Sequence, residues 1–392
     1  MIRQTTASNP SRTRVLDVFA GRVPDQVPYY EQAVASSVAS EILGREAHTG
    51  CTGLHREMAE AWLRGEDHAA EFILRVIDDW TEFADAVGMD AINVPWLGGR
   101  PTMKLGDTDY LFGDPDGRWS ISRYDPENQT FGVVKTNAAD LTMDDLEAEV
   151  EAAERGVRDA QAPTPGALHP LSYLIEKNAH RRAIVGGIGI VIPLTEPWLM
   201  AVALRPDLID RHLAVQVERA RQVAPVLGEM GVNVIFVGGD LADKNGCIYG
   251  PEVFRRHVLP CLQEIVKVCH AGRMPYVFRT DGNLWTIADD LFGASGVDGY
   301  GEIEQDAGMD PGAVRRHFPD LTMWGGVSCG TTLLTGTPGQ VMAEATLSMG
   351  GACPGGGLIL GCSNAIMHKT PVENMMAMLR ARDQFDLRGS AS

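Results

Sequence analysis

From about residue 183 the chain alternates between short apolar runs and amphipathic stretches of helical period, and this rhythm constrains the fold more than any other feature. Apolar runs of about four to eight residues bounded by glycine or proline read as buried strands, and a 3.6-residue period reads as helix. Residues 183–192 read as a glycine-interrupted strand, followed by a helix over Pro206–Met230. Residues 232–237 form a second strand that ends at Gly238-Gly239-Asp240, with its helix over 251–271. A third strand, 275–278, ends at Arg279-Thr280-Asp281, and 284–292 is its helix. Residues 296–300 end near Glu302 and Glu304, and Asp310-Pro311 opens the next helix. Residues 321–324 run into Ser328-Cys329, and Thr337-Pro338-Gly339-Gln340 caps the helix after them. The series closes with Leu358-Ile359-Leu360-Gly361-Cys362, after the glycines 355–357. There Thr370 reads as an N-cap, Pro371 as the first helical residue and Glu373 as the capping-box partner.

Upstream, 71–87 is a long helix, 91–95 a strand, and 27–30 a further candidate strand after Pro24. Eight candidate strands separated by helices, joined by right-handed crossovers, predict a parallel sheet, and eight units favour a closed (β/α)8 barrel. A doubly wound open sheet is the alternative. Gly186-Gly187-x-Gly189 fits a dinucleotide fingerprint poorly, having neither the third glycine nor a suitably placed acid. Residues 100–136 differ in character. Asp107, Asp109, the turn 113–117 and the aromatics Tyr110, Phe112, Trp119 and Tyr124 predict hairpins inserted after the 91–95 strand. The acidic stretch 143–159 is expected as an outer helix. The expectation is thus an α/β protein, one TIM-barrel domain over 1–392, with an N-terminal helical arm (about 1–60) and a hairpin insertion (about 100–136).

The net charge of −18 on 392 residues would repel a phosphate backbone, and no basic run offsets it, so nucleic acid is not an expected partner. No apolar stretch of about 18 residues predicts a membrane helix, and the first fourteen residues carry no apolar signal core. Seven scattered cysteines without C-x-x-C suggest reduced thiols, a cytoplasmic location and no closed four-cysteine zinc site.

In a barrel the strand tips converge on one mouth, which brings together Asp240, Asp281, Glu304 and Cys362, with Cys329 a further candidate. A thiolate with two carboxylates and one open position is a feasible zinc site, here Cys362, Glu304 and Asp281. A nearby cation would lower the thiol's pKa. Plainer readings stand beside these. Cys362 can be a structural thiol, Asp281 a cap for the next helix, Glu304 a solvated loop acid and Asp240 an acceptor for backbone amides. His368 is the histidine nearest the proposed mouth, a candidate for substrate contact, whereas His212, His257, His270 and His317 fall on outer helices. Trp96, just past the 91–95 strand, either walls an apolar pocket or packs in the core.

Laid out in order, these segments resemble the uroporphyrinogen decarboxylase superfamily. Arg12-Thr13-Arg14-Val15-Leu16 and Gly21-Arg22-Val23-Pro24-Asp25-Gln26-Val27-Pro28 resemble its amino-terminal segment. Gly239-Asp240-Leu241-Ala242-Asp243 resembles its middle motif, and Leu360-Gly361-Cys362 with Thr370-Pro371-Val372-Glu373-Asn374 its closing one. The resemblance implies a barrel with its site at the carboxyl-end mouth. Tyr29-Tyr30-Glu31-Gln32-Ala33 stands where true decarboxylases carry an arginine-rich segment, which makes Tyr30 a substrate-binding candidate. Pro95-Trp96-Leu97 stands where they carry the catalytic aspartate.

Cys362 is similar instead to a zinc-ligand cysteine of the corrinoid-linked methyltransferase branch. That branch's H-x-C-G-N element is here Arg279-Thr280-Asp281-Gly282-Asn283. The resemblance then implies an O-demethylase type of methyltransferase. In it, zinc on Cys362, Glu304 and Asp281 polarises the oxygen of a small, methoxylated aromatic donor, and Arg279 orients a carboxylate or phenolate. Asp240, Glu304 and Arg279 are the expected catalytic residues. The methyl would pass to a corrinoid protein or a tetrahydrofolate-type carrier that no domain of this chain binds, with a homodimer possible. The competing reading is a lyase or decarboxylase on a small carboxylate, anchored by Arg279 with Asp240 or Glu304 as acid. A non-catalytic barrel is a third.

Overall fold

The computed structural model describes residues 9–353 and 357–387. Gly355 and Gly356 of the expected glycine run, and residues 1–8 of the expected arm, lie outside the described residues.

In chain order the strands are β1 (Ala91–Asn93), β2 (Met103–Lys104), β3 (Asp109–Gly113), β4 (Trp119–Asp125) and β5 (Thr130–Thr136). There follow β6 (Ala183–Gly186), β7 (Val234–Phe236), β8 (Ala242–Asp243) and β9 (Gly246–Cys247). The last four are β10 (Tyr276–Arg279), β11 (Gly299–Ile303), β12 (Thr322–Val327) and β13 (Leu358–Cys362). Seven of them form one parallel sheet in the order β1-β6-β7-β10-β11-β12-β13. Their short, mostly apolar sequences are those of strands covered on both faces.

The ring is closed by segment 28–30. On one side Leu360 N donates to Pro28 O (2.8 Å) and Tyr30 N to Leu360 O (3.0 Å). On the other, Asp90 N donates to Tyr29 O (2.8 Å) and Tyr29 N to Asp90 Oδ2 (2.9 Å). The expected strand over 27–30 is therefore an eighth stave, but one reduced to a single bridge, Tyr29 to Leu360. Pro28 has no N–H with which to extend the ladder. The expected barrel fold is what the chain adopts.

Helix Arg12–Phe19, capped by Ser11, brings Val15 and Phe19 to the amino-terminal end of the barrel. Above them Tyr30, Phe236 and Trp324 fill the interior with ring centroids 4.7 to 5.7 Å apart. Trp324 Nε1 donates to Tyr30 O at 2.8 Å. Gly301 makes room for this layer: a Cβ there would lie 2.8 Å from Trp324 Cε3 and 2.9 Å from Phe236 Cε2.

Several boundaries differ from expectation. The strand expected over 183–192 stops at Gly186, because residues beyond it pass tightly over the next loop, Gly189 against Gly238 O. The helix expected over 284–292 is reduced to turns and a π-helical turn, Asp289–Ala294; Asn283 Oδ1 accepts from Trp285 N in a local turn that competes with a helical start. The helix over 251–271 is continuous but passes through a π-helical turn, Phe254–Val258, just before Pro260, whose missing N–H breaks the regular ladder. The last helix, Val372–Gln384, is preceded by Pro371 as N-cap, and Thr370 Oγ1 has no partner.

The expected hairpins form the antiparallel sheet β2-β3-β4-β5. It packs on helix Cys51–Arg64 around its own small core of Ala59, Tyr110 and Phe131. Among the described residues no helix is long and apolar enough to cross a membrane.

Candidate active site

Because all eight staves run parallel, their carboxyl ends open on one mouth. Arg279 is the last residue of β10, and its Nη1 donates to Glu302 Oε1 at 2.8 Å. Glu302 lies inside β11 and its side chain is fully buried. Gln32 Nε2 donates to the same oxygen and to Asn364 O (2.8 Å), tying segment 28–30 and the loop after β13 to this pair. The Asn364 side chain donates in turn to Asp281 Oδ2 at 3.1 Å. Asp281 lies within hydrogen-bonding reach of Glu302. Burial pushes Glu302 up to about 8, against the pull of Arg279, and Asp281 adds to the rise. Burial raises Asp281 too, and the nearby Asp240 carboxylate adds to it. Burial and the like charge of the neighbouring carboxyl thus both favour the protonated form in this cluster.

A second buried acid stands beside Cys362. The Cys362 Sγ–H donates to Glu31 Oε2 at 2.9 Å and its backbone N–H to Glu31 Oε1 at 3.1 Å, both residues being wholly buried. Burial pushes Glu31 up to about 7, the bonds from Cys362 opposing the rise. Burial also drives the Cys362 thiol well above its ordinary value, so in this arrangement it is a thiol, not a thiolate.

Beside the polar cluster a cavity of about 530 Å³ opens between the barrel loops and the tip of the β4–β5 hairpin. Trp96, Tyr124, Leu334 and Met367 give it apolar walls, and Asn364 links it to Asp281. The Arg279 guanidinium lies over the Trp96 ring, 5.0 Å from its centroid. Buried Arg279 Nε has no partner, nor have Gln32 Oε1 and Asn93 Oδ1. The amide orientations are fixed, since Gln32 Nε2 faces the Asn364 carbonyl and Asn93 Nδ2 the carbonyls of Gln32 and Val94. Buried polar atoms left open in this way mark a place where a polar ligand or water completes the structure.

The residues expected at the mouth are thus distributed unevenly. Arg279, Asp281 and Trp96 meet at the cluster and the cavity wall. Asp240 is exposed four residues beyond β7. Glu304 is turned to the Gly282 N–H, which donates to its Oε2 at 2.8 Å. His368 lines the cavity with its Nδ1 2.8 Å from Ser37 Oγ, away from the acids. Tyr30 lies in the barrel interior, 3% exposed against Phe236 and Trp324, rather than on the cavity. Among the described residues no three His, Cys, Asp or Glu side chains stand together as a metal-holding group. The set Cys362, Glu304 and Asp281 is instead engaged by Glu31, by the Gly282 amide and by Asn364. Sequence reasoning passed over Glu31, Gln32, Asn93, Glu302 and Asn364. Of these, Glu302 lies just past the end expected for its strand, whereas β11 runs on to Ile303 and makes it an interior residue.

The sequence model of the family Uroporphyrinogen decarboxylase (URO-D) matches residues 194–385, the half that supplies β7 to β13. The whole barrel superposes on a methyltransferase from Methanosarcina mazei with a TM-score of 0.63, at 19% identity, over 96% of this chain and 99% of that one. That likeness concerns the fold. Residues 194–385 thus carry the sequence pattern of the uroporphyrinogen decarboxylase family. The chain is similar to the methylcobamide:CoM methyltransferase MtaA of Methanosarcina barkeri, 25% identical over 228 residues. The same protein from the Fusaro strain of that organism matches at 25% over 227 residues. These alignments cover 56% of this chain, and the chain spans about 64% of the length of the curated relatives it matches.

Proposed function

We propose that this chain is a methyltransferase that moves a methyl group between a small donor and a corrinoid carried by a partner protein, in a reducing, cytoplasmic compartment. The observation that carries the reading is its likeness to relatives named for methyl transfer from methylcobamide. The family match falls on the half that supplies Arg279, Asp281, Glu302 and Cys362. The donor seat is the 530 Å³ cavity. Its aromatic walls suit a methoxylated aromatic acid, and the unpartnered Nε of Arg279, whose guanidinium lies 5.0 Å from the centroid of the wall residue Trp96, suits the carboxylate or phenolate of such a ligand. The methyl group would then face the mouth, where a corrinoid or a tetrahydrofolate-type carrier approaches from outside the chain.

Zinc enters this proposal only in a rearranged site. To bind it, Cys362, Glu304 and Asp281 would each have to leave a present partner, so no step is assigned to the metal here. What the side chains do as they stand is bind and orient: Arg279 fixes the ligand's anionic end, and Glu302 and Asp281 hold a proton beside it. Metal content of the purified protein, compared with that of Cys362→Ala, decides whether a metal is resident.

The reaction is tested by mixing the protein with a panel of methoxylated aromatic acids and a reduced corrinoid and following methylcorrinoid formation optically. Methyl transfer is expected, with the KM for the donor raised about tenfold or more in Arg279→Lys, where a planar fork becomes a point charge. Release of carbon dioxide from a carboxylate with no methyl transfer would replace this reading by the lyase one.

A further inference from the structure

The hairpin insertion contributes residues to the cavity without sharing the barrel's core. Tyr124 from β4, Asn128 and Gln129 from the turn and Thr130 from β5 form one wall, and loops of the barrel and its arm form the others. The sheet rests on helix Cys51–Arg64 through the separate cluster of Ala59, Tyr110 and Phe131. Its end meets the rest of the molecule through Tyr124, over which the Arg56 guanidinium lies 5.2 Å from the ring centroid, and through its turn. Lys369 Nζ donates to Asn128 Oδ1 at 3.0 Å. Asn128 is presented for this by Asp125, whose Oδ2 accepts from Asn128 Nδ2 at 2.7 Å. The turn also lies directly on Gly53, where a Cβ would come within 3.1 Å of Gln129 O. Four described residues other than glycine have positive φ, and three of them, Cys51 (62°), Gln129 (49°) and Lys369 (70°), line this cavity. Such backbone is stored where two parts of a structure hold each other in place.

We propose that the β4–β5 hairpin is a lid on this cavity, latched to the barrel by Lys369 and Asn128. Opening breaks the Lys369–Asn128 hydrogen bond, lifts the turn from Gly53 and draws Tyr124 away from the Arg56 guanidinium that lies 5.2 Å from its ring centroid. It leaves the barrel core and the Arg279–Glu302 cluster untouched. Ligands then enter the cavity beneath the hairpin. The lid is a property of the cavity and holds whichever reaction is run there.

Cys51 reports on it without any ligand. Its thiol lines the cavity, donates to Ile366 O (3.4 Å) and is pushed up to about 12 by burial, so it reacts slowly while the hairpin is down. The full-length protein is treated with iodoacetamide, and labelling of each cysteine is followed by peptide mass spectrometry. Lys369→Met and Asn128→Ala remove the latch from its two ends, and Gly53→Ala props the turn from below. Each is expected to speed Cys51 labelling about fivefold, the effect of one hydrogen bond of about 1 kcal/mol, while Cys247, which does not line the cavity, keeps its rate. Unchanged Cys51 labelling in all three variants overturns the lid. So does a parallel rise at Cys247 and the other thiols, which would mean general loosening.

Discussion

Cys362 and Glu31, 331 residues apart, are joined by two hydrogen bonds inside the barrel wall, one from the thiol and one from the backbone N–H of the same residue. A buried carboxyl held chiefly by one neighbour, with Tyr29 nearby, is sensitive to that neighbour. Cys362→Ala removes the thiol donor from Glu31 Oε2, which keeps the longer contact from the Cys362 backbone N–H (3.3 Å), so it is expected to destabilise the protein by about 2 kcal/mol. Cys362→Ser keeps an O–H donor at the same place and should lose about half as much. Urea titrations of the three proteins measure both, and equal losses for alanine and serine would show that the pairing contributes nothing.

Arg279 and Glu302 form a pair with the acid wholly buried. Breaking such a pair by removing one partner commonly costs about 3 to 5 kcal/mol. Because burial already holds Glu302 up to about 8, the orphaned acid can take a proton, and the expected loss in Arg279→Met is nearer 2 kcal/mol. The double variant Arg279→Met/Glu302→Leu should recover most of it. A double variant as unstable as the sum of its single changes would show the two side chains to be independent.

Gly301 is placed against the faces of Trp324 and Phe236. The Gly301→Ala side chain has no free space, and the rings sit in a layer closed on every side, so a loss of about 2 kcal/mol is expected. Near-ultraviolet circular dichroism should change with it, because Trp324 must shift. Unaltered aromatic signals and stability would mean the layer is looser than its contacts imply.

His48 Nδ1 lies 2.8 Å from Glu57, and that bond raises the imidazole above its ordinary 6.5 while burial opposes the rise. A group with a raised folded-state pKa contributes stability that is fully present below the unfolded value and lost as pH rises through the folded one. The protein should therefore lose stability relative to His48→Gln between pH 6 and 8, by about 0.5 kcal/mol since Glu57 is a third exposed. Denaturation midpoints that run parallel for the two proteins across this range would contradict the pairing.

The barrel was readable because its strands are bounded by glycine and proline and its helices carry a clear period, as in Pro206–Met230, where expected and observed limits coincide. The site was readable only where a polar residue directly ends a regular strand, as Arg279 does. Glu302 was displaced from view because β11 runs to Ile303, three residues past its expected end, turning an assumed loop acid into an interior one. Glu31 and Gln32 follow an irregular stave, so no periodicity says which way their side chains point. Their partners lie about 270 to 330 residues away, a separation that local pattern cannot bridge.

The closing stave has a consequence for the order of events in folding. Segment 28–30 is made well before β13, yet it completes its hydrogen bonding only on Leu360. Until β13 arrives, one edge of the growing sheet is open, and Gln32 and Glu31 have neither Asn364 nor Cys362 to hold them. The polar cluster is therefore assembled in the last, entropically most demanding contact of the ring. A chain whose polar mouth is formed has already closed its barrel, and intermediates with a paired sheet but no site should precede it.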